Sequence, residues 1–379
     1  MKQVYLDHGA TTALDGRVLE KMLPYLKENY GNANSLHSIG RKACEGLDEA
    51  RDIVANLLGA NFNEIYFTSG GTEGDNLALR GFTALRGSKN KLVTSSIEHS
   101  AIFSTAEQLE KLYGIEHVKV SPNAIGIVTK ENFSNSVDEN TYLVSLMHAN
   151  NEIGTIQPIK DVCRLAHDKG AYFFTDSVQA VGKIKLDVKD LGVDMLSFSA
   201  HKFNGPKGVG CVYISDKTKL SPIITGGHQE RSLRGGTSNV AGAIGLAYAL
   251  KYSLQTLDKD NAYVLNLRNH FIDALKSKGV ECYLNGDKDF RLSNNANLLF
   301  KGVSGDVLLY KLDMVGVCAS LGAACSSGTL SPSHVLKEIG LSDADAMSSI
   351  RFTFGKDNDL NDVEYVASQI SNIIKELKS

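Results

Sequence analysis

Short apolar runs recur along this chain at Glu64 to Thr68, Lys91 to Thr94, Tyr142 to Met147, Ala171 to Thr175, Met195 to Phe198 and Gly210 to Ile214, with helix-compatible stretches between them. Strands that alternate with helices must be joined by crossovers, so the pattern calls for an α/β fold: a mainly parallel sheet covered on both faces. Over residues 41–58 the side chains of Ala43, Leu47, Ala50, Val54, Leu57 and Leu58 form one helical stripe that stops at Gly59, as a C-terminal cap would require. Val363, Val366, Ile370, Ile373 and Leu377 form another, which reads as a closing amphipathic helix. The pattern becomes more mixed after the apolar segment Ala241 to Leu250, which places a domain change near residue 255. A chain of 379 residues has room for two such units.

Several function classes lose support at once. A formal net charge of −3 gives no long-range attraction to nucleic acid or to an anionic membrane, and neither is expected as a direct partner. No stretch is apolar and long enough to span a bilayer, and the start Met1-Lys2-Gln3-Val4-Tyr5-Leu6-Asp7 lacks the features of a secretory signal. The six cysteines contain no Cys-x-x-Cys pair, so reduced thiols and a cytoplasmic location are the expectation. A nicotinamide dehydrogenase is disfavoured because no Gly-x-Gly-x-x-Gly follows an early strand.

In parallel sheets ligands bind beyond the carboxyl ends of the strands, and in this chain those positions are polar. Thr68-Ser69-Gly70-Gly71-Thr72-Glu73 turns a strand into a helix, where free N–H groups and the helix dipole suit a phosphate; a plain capped turn reads equally well. Lys202, in Ser199-Ala200-His201-Lys202, follows a buried strand, where desolvation lowers an ammonium pKa and frees an amine for a Schiff base. Ser199 and His201 beside it could hold the phosphate of the same cofactor, although a lone loop lysine is more often a solvated charge. Asp176 ends an apolar strand, and a buried carboxylate there wants a cation such as a protonated pyridine nitrogen. Gln179 stands three residues on and could reach a phenolic oxygen; helix capping is the rival use of the aspartate.

Other candidates are weaker one by one. His99 could stack on a flat cofactor or be a satisfied core histidine, and Asn150 and Asn151 could meet ring oxygen or substrate or simply make a turn. Cys325 sits in the small-residue run Ala319-Ser320-Leu321-Gly322-Ala323-Ala324-Cys325-Ser326-Ser327-Gly328, which could carry a thiol in and out of a site or bury it. Arg351, in Ile350-Arg351-Phe352, could clamp a carboxylate in fork geometry or form a structural salt bridge.

Together these segments resemble the cysteine desulfurase family of fold-type I pyridoxal-phosphate (PLP) enzymes, in its housekeeping and nitrogen-fixation-type branch. The resemblance takes in Tyr5-Leu6-Asp7-His8, Thr68 to Glu73, Glu98-His99, His148 to Thr155, Asp176, Gln179 and Ser199 to Lys202, all in one order. It continues through Gly226 to Arg231, Gly235-Gly236-Thr237, Cys325 to Gly328, Pro332 to Leu336 and Ile350 to Phe352. It implies a large PLP-binding domain over residues 13–255, built on a mainly parallel, seven-stranded-type sheet covered by helices. A smaller α+β domain, from 1–12 and 256–379, would carry the cysteine loop. By the same resemblance Lys202 would hold PLP as a Schiff base, His99 would stack on its ring, Asp176 would pair with its nitrogen and Gln179 would hold its phenolic oxygen. Gly71, Thr72, Ser199 and His201 would hold the phosphate, with Thr237 reaching across from a second subunit of a homodimer, and Asn151 and Arg351 would position L-cysteine. Lys202 and His99 would handle protons while the Cys325 thiolate takes the sulfur as a persulfide and alanine leaves. An iron–sulfur scaffold or a tRNA-thiolation protein would accept that sulfur, and Cys325 could serve as a transient iron–sulfur ligand.

The chain departs from the family at Leu321 and Ala323, which replace small polar residues, and at Gly9, where Asn or Ala is more frequent. The first bears on the rate and acceptor preference of the cysteine run. The rival readings are a selenocysteine lyase or other PLP lyase or transferase of the same fold and, from another class, a non-catalytic sulfur-relay or scaffold protein.

Overall fold

The computed structural model describes residues 2–321 and 331–378. The first part of the chain runs through β1 (Val4–Tyr5), α1 (Gly16–Lys27), α2 (Ser38–Leu58), β2 (Ile65–Thr68), α3 (Gly71–Thr83), β3 (Lys91–Ser95), α4 (Ser100–Tyr113) and β4 (Glu116–Val120). It continues through α5 (Lys130–Ser134), β5 (Thr141–Ser145), α6 (Ile159–Asp168), β6 (Tyr172–Asp176), α7 (Val188–Leu191), β7 (Met195–Ser199) and β8 (Gly210–Ile214). Then come α8 (Val240–Gln255), α9 (Leu257–Ser277), β9 (Tyr283–Leu284), β10 (Asn295–Leu299), α10 (Gly305–Met314), β11 (Val317–Cys318) and β12 (Ser320–Leu321). The last elements are α11 (His334–Glu338), α12 (Asp343–Met347), β13 (Ser349–Thr353) and α13 (Leu360–Lys378).

Seven strands form the large sheet in the order β2-β8-β7-β6-β5-β3-β4. Pairing is parallel from β7 to β4, while β8 runs antiparallel to both its neighbours. Strands β5, β7 and β8 are buried at every position, as continuous apolar runs covered on both faces must be. The chain leaves β3 for β4 on one side and returns to β5 on the other, so the order reverses between β3 and β5. That switch opens a crevice beyond their carboxyl ends, bordered by the residues after β3 and after β5.

A second sheet, β12-β13-β10-β9, is antiparallel, and β1 pairs in parallel with β11. One apolar core lies around the large sheet, and a separate one gathers Val4 and Leu6 with side chains of α9, β10, α10, β13 and α13. Val335, Leu336, Ile339 and Ala346 pack into the first core although they come late in the chain, so the backbone crosses between cores more than once. No helix among the described residues is long and apolar enough to cross a membrane.

Candidate active site

Lys202 follows β7 in a short turn, and its side chain folds back on the N-terminal segment. Its Nζ donates to the carbonyls of Gly9 and Ala10, 2.8 Å each. No carboxylate among the described residues forms an ion pair with it. Burial lowers its pKa to about 8, helped by the Arg351 cation and opposed by Asp176 and Asp7. An amine in this state is close to the free base that a Schiff base requires.

Asp176 arrives at the end of β6 and is buried. Its Oδ1 accepts from the backbone N–H of Val178 at 2.8 Å, and among the described residues no side-chain cation is bonded to it. Burial pushes its carboxyl up, while His99, the Val178 N–H and Lys202 pull the other way. Oxygen atoms of Asp176 and Asp75 and a ring nitrogen of His99 all lie within 4.8 Å of one another. His99 caps α4, its Nδ1 accepting from the Ala101 N–H at 3.1 Å, which leaves Nε2 outside the cap bond. Burial lowers its pKa, so the neutral ring is favoured.

Ser69, Gly70, Gly71, Thr72, Ser199 and His201 line one pocket together with Thr11 and Lys207. Helix α3 begins there, at Gly71, and no side chain caps its first turn. A Cβ on Gly71 would stand 2.5 Å from Val178 Cγ2, so the helix end is pressed against the turn that follows Asp176. Uncapped N–H groups, hydroxyls and a lysine around one hollow have the chemistry to hold a phosphate. Thr237 is exposed and does not line this pocket; Arg234, near it in the chain, reaches Glu73 at the mouth, with Nε to Oε1 at 2.9 Å.

Gln179 is buried and donates through Nε2 to Gly9 O at 2.9 Å, which brings it to the same carbonyl that Lys202 uses. Arg351, in β13, donates through NH2 to Asp7 Oδ1 and through NH1 to Asn151 O, both at 2.8 Å, while its buried Nε has no partner among the described residues. The salt bridge that competed with the clamp in the sequence is therefore present. It fixes the guanidinium beside Asn151 without using all of its donors. Asn150 instead supports the turn: its Oδ1 accepts from the Glu152 and Ile153 N–H groups. Cys325 lies outside the described residues.

Sequence reasoning missed four groups. Asp7 pairs with Arg351, Asp75 stands behind Asp176 with Oδ1 accepting from Ser197 Oγ at 2.6 Å, Glu98 is wholly buried beside His99, and Lys183 donates to Gln179 Oε1 at 2.8 Å. Asp75 is one helical turn past Thr72 on the inward face of α3, a signal that spacing alone did carry.

These residues fit PLP on chemistry as well as position. Among the described residues, a buried carboxylate without a side-chain cation, an amine without a carboxylate partner and an uncapped helix start are the counterparts of its ring nitrogen, aldehyde and phosphate. The model of the aminotransferase class-V family matches residues 4–366. A cysteine desulfurase IscS of Clostridium botulinum is 45% identical over 378 residues, covering 99% of this chain and 95% of that protein. Among solved structures, a NifS-like protein superposes with a TM-score of 0.93 at 36% identity, covering 99% of this chain and 100% of its own. SspA in complex with cysteine superposes with a TM-score of 0.80 at 34% identity, over 93% of this chain and 98% of that one.

Proposed function

Because the chain belongs to the class-V aminotransferase family, among its PLP-dependent cysteine desulfurases, we propose that Lys202, Asp176, His99 and Cys325 are the residues that perform the reaction on L-cysteine. PLP, once bound, supplies an electron sink for the substrate's α-carbon. Lys202 would hold it, Asp176 would pair with the ring nitrogen, and Gln179 would donate to the phenolic oxygen. Gly71, Thr72, Ser199 and His201 would hold its phosphate, joined by Thr237 of a second copy in a homodimer. Arg351 would take the cysteine carboxylate through donors that Asp7 and Asn151 leave free, with the Asn151 amide beside it; the cysteine held by the solved relative supports that substrate.

Proton transfer would fall to Lys202 Nζ, whose lowered pKa lets it accept and return a proton near neutrality, and to His99 Nε2. The Cys325 thiolate would attack the substrate sulfur. An S–S bond forms as the substrate's Cβ–S bond breaks, the bond electrons go to the carbon skeleton that leaves as alanine, and Cys325 keeps a persulfide. The sulfur would pass to an iron–sulfur scaffold or a tRNA-thiolation protein, with Cys325 a transient iron–sulfur ligand in the first case. We further place the enzyme in the cytoplasm, a reading supported by five free cysteines among the described residues. We divide it into domains at 13–255 and at 1–12 with 256–379, in keeping with the two apolar cores.

The observation that carries this reading is Lys202, an amine without a carboxylate partner held on two carbonyls across from the buried Asp176. PLP added to the purified chain is expected to give a visible band that shifts with cysteine, absent in K202A. The C325A variant should keep the cysteine-induced shift and lose sulfide release. Near-normal sulfide release by C325A would remove the cysteine from the reaction.

A further inference from the structure

A cavity of about 90 Å³ lies between the two cores, and both Lys183 and Lys202 line it. Lys183 has no task in the reaction just described. It follows the turn after Asp176, and its backbone carbonyl accepts from Asn261 Nδ2 of α9 at 2.8 Å. Among the described residues no carboxylate pairs with it. Burial pushes its ammonium down to about 7, and the cations of Lys202 and Arg351 add to the effect. A lysine placed this way costs stability, and packing alone gives no reason for its amine.

The bond it does make is specific. Lys183 Nζ donates to Gln179 Oε1 at 2.8 Å, Gln179 Nε2 donates to Gly9 O at 2.9 Å, and Lys202 Nζ donates to that same carbonyl at 2.8 Å. A side-chain amide has one acceptor end and one donor end, and either orientation fits the same space. Turned over, Gln179 would set an N–H₂ against the Lys183 ammonium and an oxygen against the Gly9 carbonyl, two repulsive contacts in place of two bonds. In the observed orientation Nε2 spends one hydrogen on Gly9 and keeps the second.

We propose that Lys183 is a positioning residue, which locks the Gln179 amide so that its remaining N–H is presented to the ring oxygen of bound PLP. The proposal rests on the reading above that Gln179 meets the phenolic oxygen, and adds the group that decides which end of the amide does so. Without Lys183, only Gly9 O selects the orientation, and an oxygen-to-oxygen contact with the ring becomes accessible. Arg351, Asp176 and Asp7 supply the remaining charge around the Lys202 nitrogen, and the His99 ring is the other titratable group that faces it.

An N–H donated to the ring oxygen competes with the Schiff-base proton for that oxygen, so losing it should raise the pH at which the visible band titrates. The test follows that midpoint in the PLP-loaded wild type, K183M, K183A, K183R, Q179L and the K183M/Q179L double variant. Reading K183A beside K183M keeps a packing defect in one side chain from deciding the outcome. K183M and K183A should raise the midpoint by about one pH unit, the size of one lost charge-assisted hydrogen bond. K183R, which keeps donors, should restore it, and the double variant should match Q179L. An unchanged midpoint in K183M and K183A with a shifted one in Q179L overturns the proposal and leaves Gln179 on the ring oxygen. An undiminished K183M shift in the Q179L background overturns it too, because Lys183 then acts as a bare charge. A wild-type midpoint in Q179L takes Gln179 off the ring oxygen, and the proposal falls with that assignment.

Discussion

Glu98 is a carboxyl with nowhere to put a charge. It is fully buried; Oε1 accepts from Ser95 Oγ at 2.6 Å and from the Met147 N–H at 2.8 Å, and Oε2 has no partner among the described residues. Burial raises its pKa from 4.5 to about 8. The folded state therefore binds a proton more tightly than the unfolded chain, and stability should fall as pH rises from about 4.5 to about 8, then level off. E98Q mimics the neutral acid and does not titrate. In denaturant melts the wild type should lose ground to E98Q across that window, by up to ~1.4 kcal/mol per pH unit; parallel curves would show that Glu98 does not titrate there. Arg351 makes the complementary case. Lysine at that position keeps the charge but not the planar fork that meets Asp7, Asn151 O and a carboxylate together, so R351K should raise KM for cysteine about tenfold or more. A KM equal to the wild type's would reduce Arg351 to its salt bridge with Asp7. Lys202 and Asp176 were readable from sequence because each stands at the end of a buried strand. Glu98 and Lys183 were not, because a charged residue's burial depends on what other elements lay over it.

Among the elements, the strands buried on both faces were the readable ones, since β5, β6 and β7 present apolar runs with no polar face to confuse them. Strand β4 escaped: Glu116, His117 and Lys119 share it with Val118 and Val120, and it is an edge strand paired only with β3. An edge needs only one apolar face, and here even that is interrupted. Strand β8 shows the opposite, a central strand where one position allows no side chain at all. A Cβ on Gly210 would stand 2.6 Å from Gly70 backbone atoms and 2.7 Å from Phe198 O. The loop at Gly70 thus rests directly on the β8 backbone, and neither neighbour is a side chain that can swing away. G210A should destabilise the protein by about 1–3 kcal/mol through overpacking. It should also weaken PLP binding by lifting Gly70, which fluorescence titration of the apoenzyme would measure. Wild-type affinity in G210A would mean that the loop yields without altering the phosphate pocket.

At the scale of the molecule, two cores meet along a strap of about a dozen N-terminal residues. Val4 and Leu6 pack in the second core, β1 pairs with β11, and Asp7 bridges to Thr353. A few residues later Thr11 Oγ1 meets His201 Nδ1 at 3.1 Å, and Thr12 Oγ1 donates to His201 O at 2.9 Å. The resemblance of Tyr5-Leu6-Asp7-His8 to a family motif was visible in sequence, but its mechanical role was not, because every contact that defines it spans the length of the chain. The centre of the strap is Gly9. Its carbonyl serves Lys202 and Gln179, and its N–H donates to Thr353 Oγ1 at 2.7 Å in a buried bond. Thr353 belongs to β13, so the hydroxyl of one core sets the height of the carbonyl on which the reactive amine of the other is held. T353V keeps the shape and removes that acceptor. The orphaned Gly9 N–H should cost about 1–3 kcal/mol, seen as a lower melting temperature, and the displaced carbonyl should lower PLP affinity beyond what instability explains. T353S, which keeps the hydroxyl, should restore both. If T353V melts lower yet binds PLP as the wild type does, the strap holds the cores together without tuning the lysine, and the two roles separate at this one hydrogen bond.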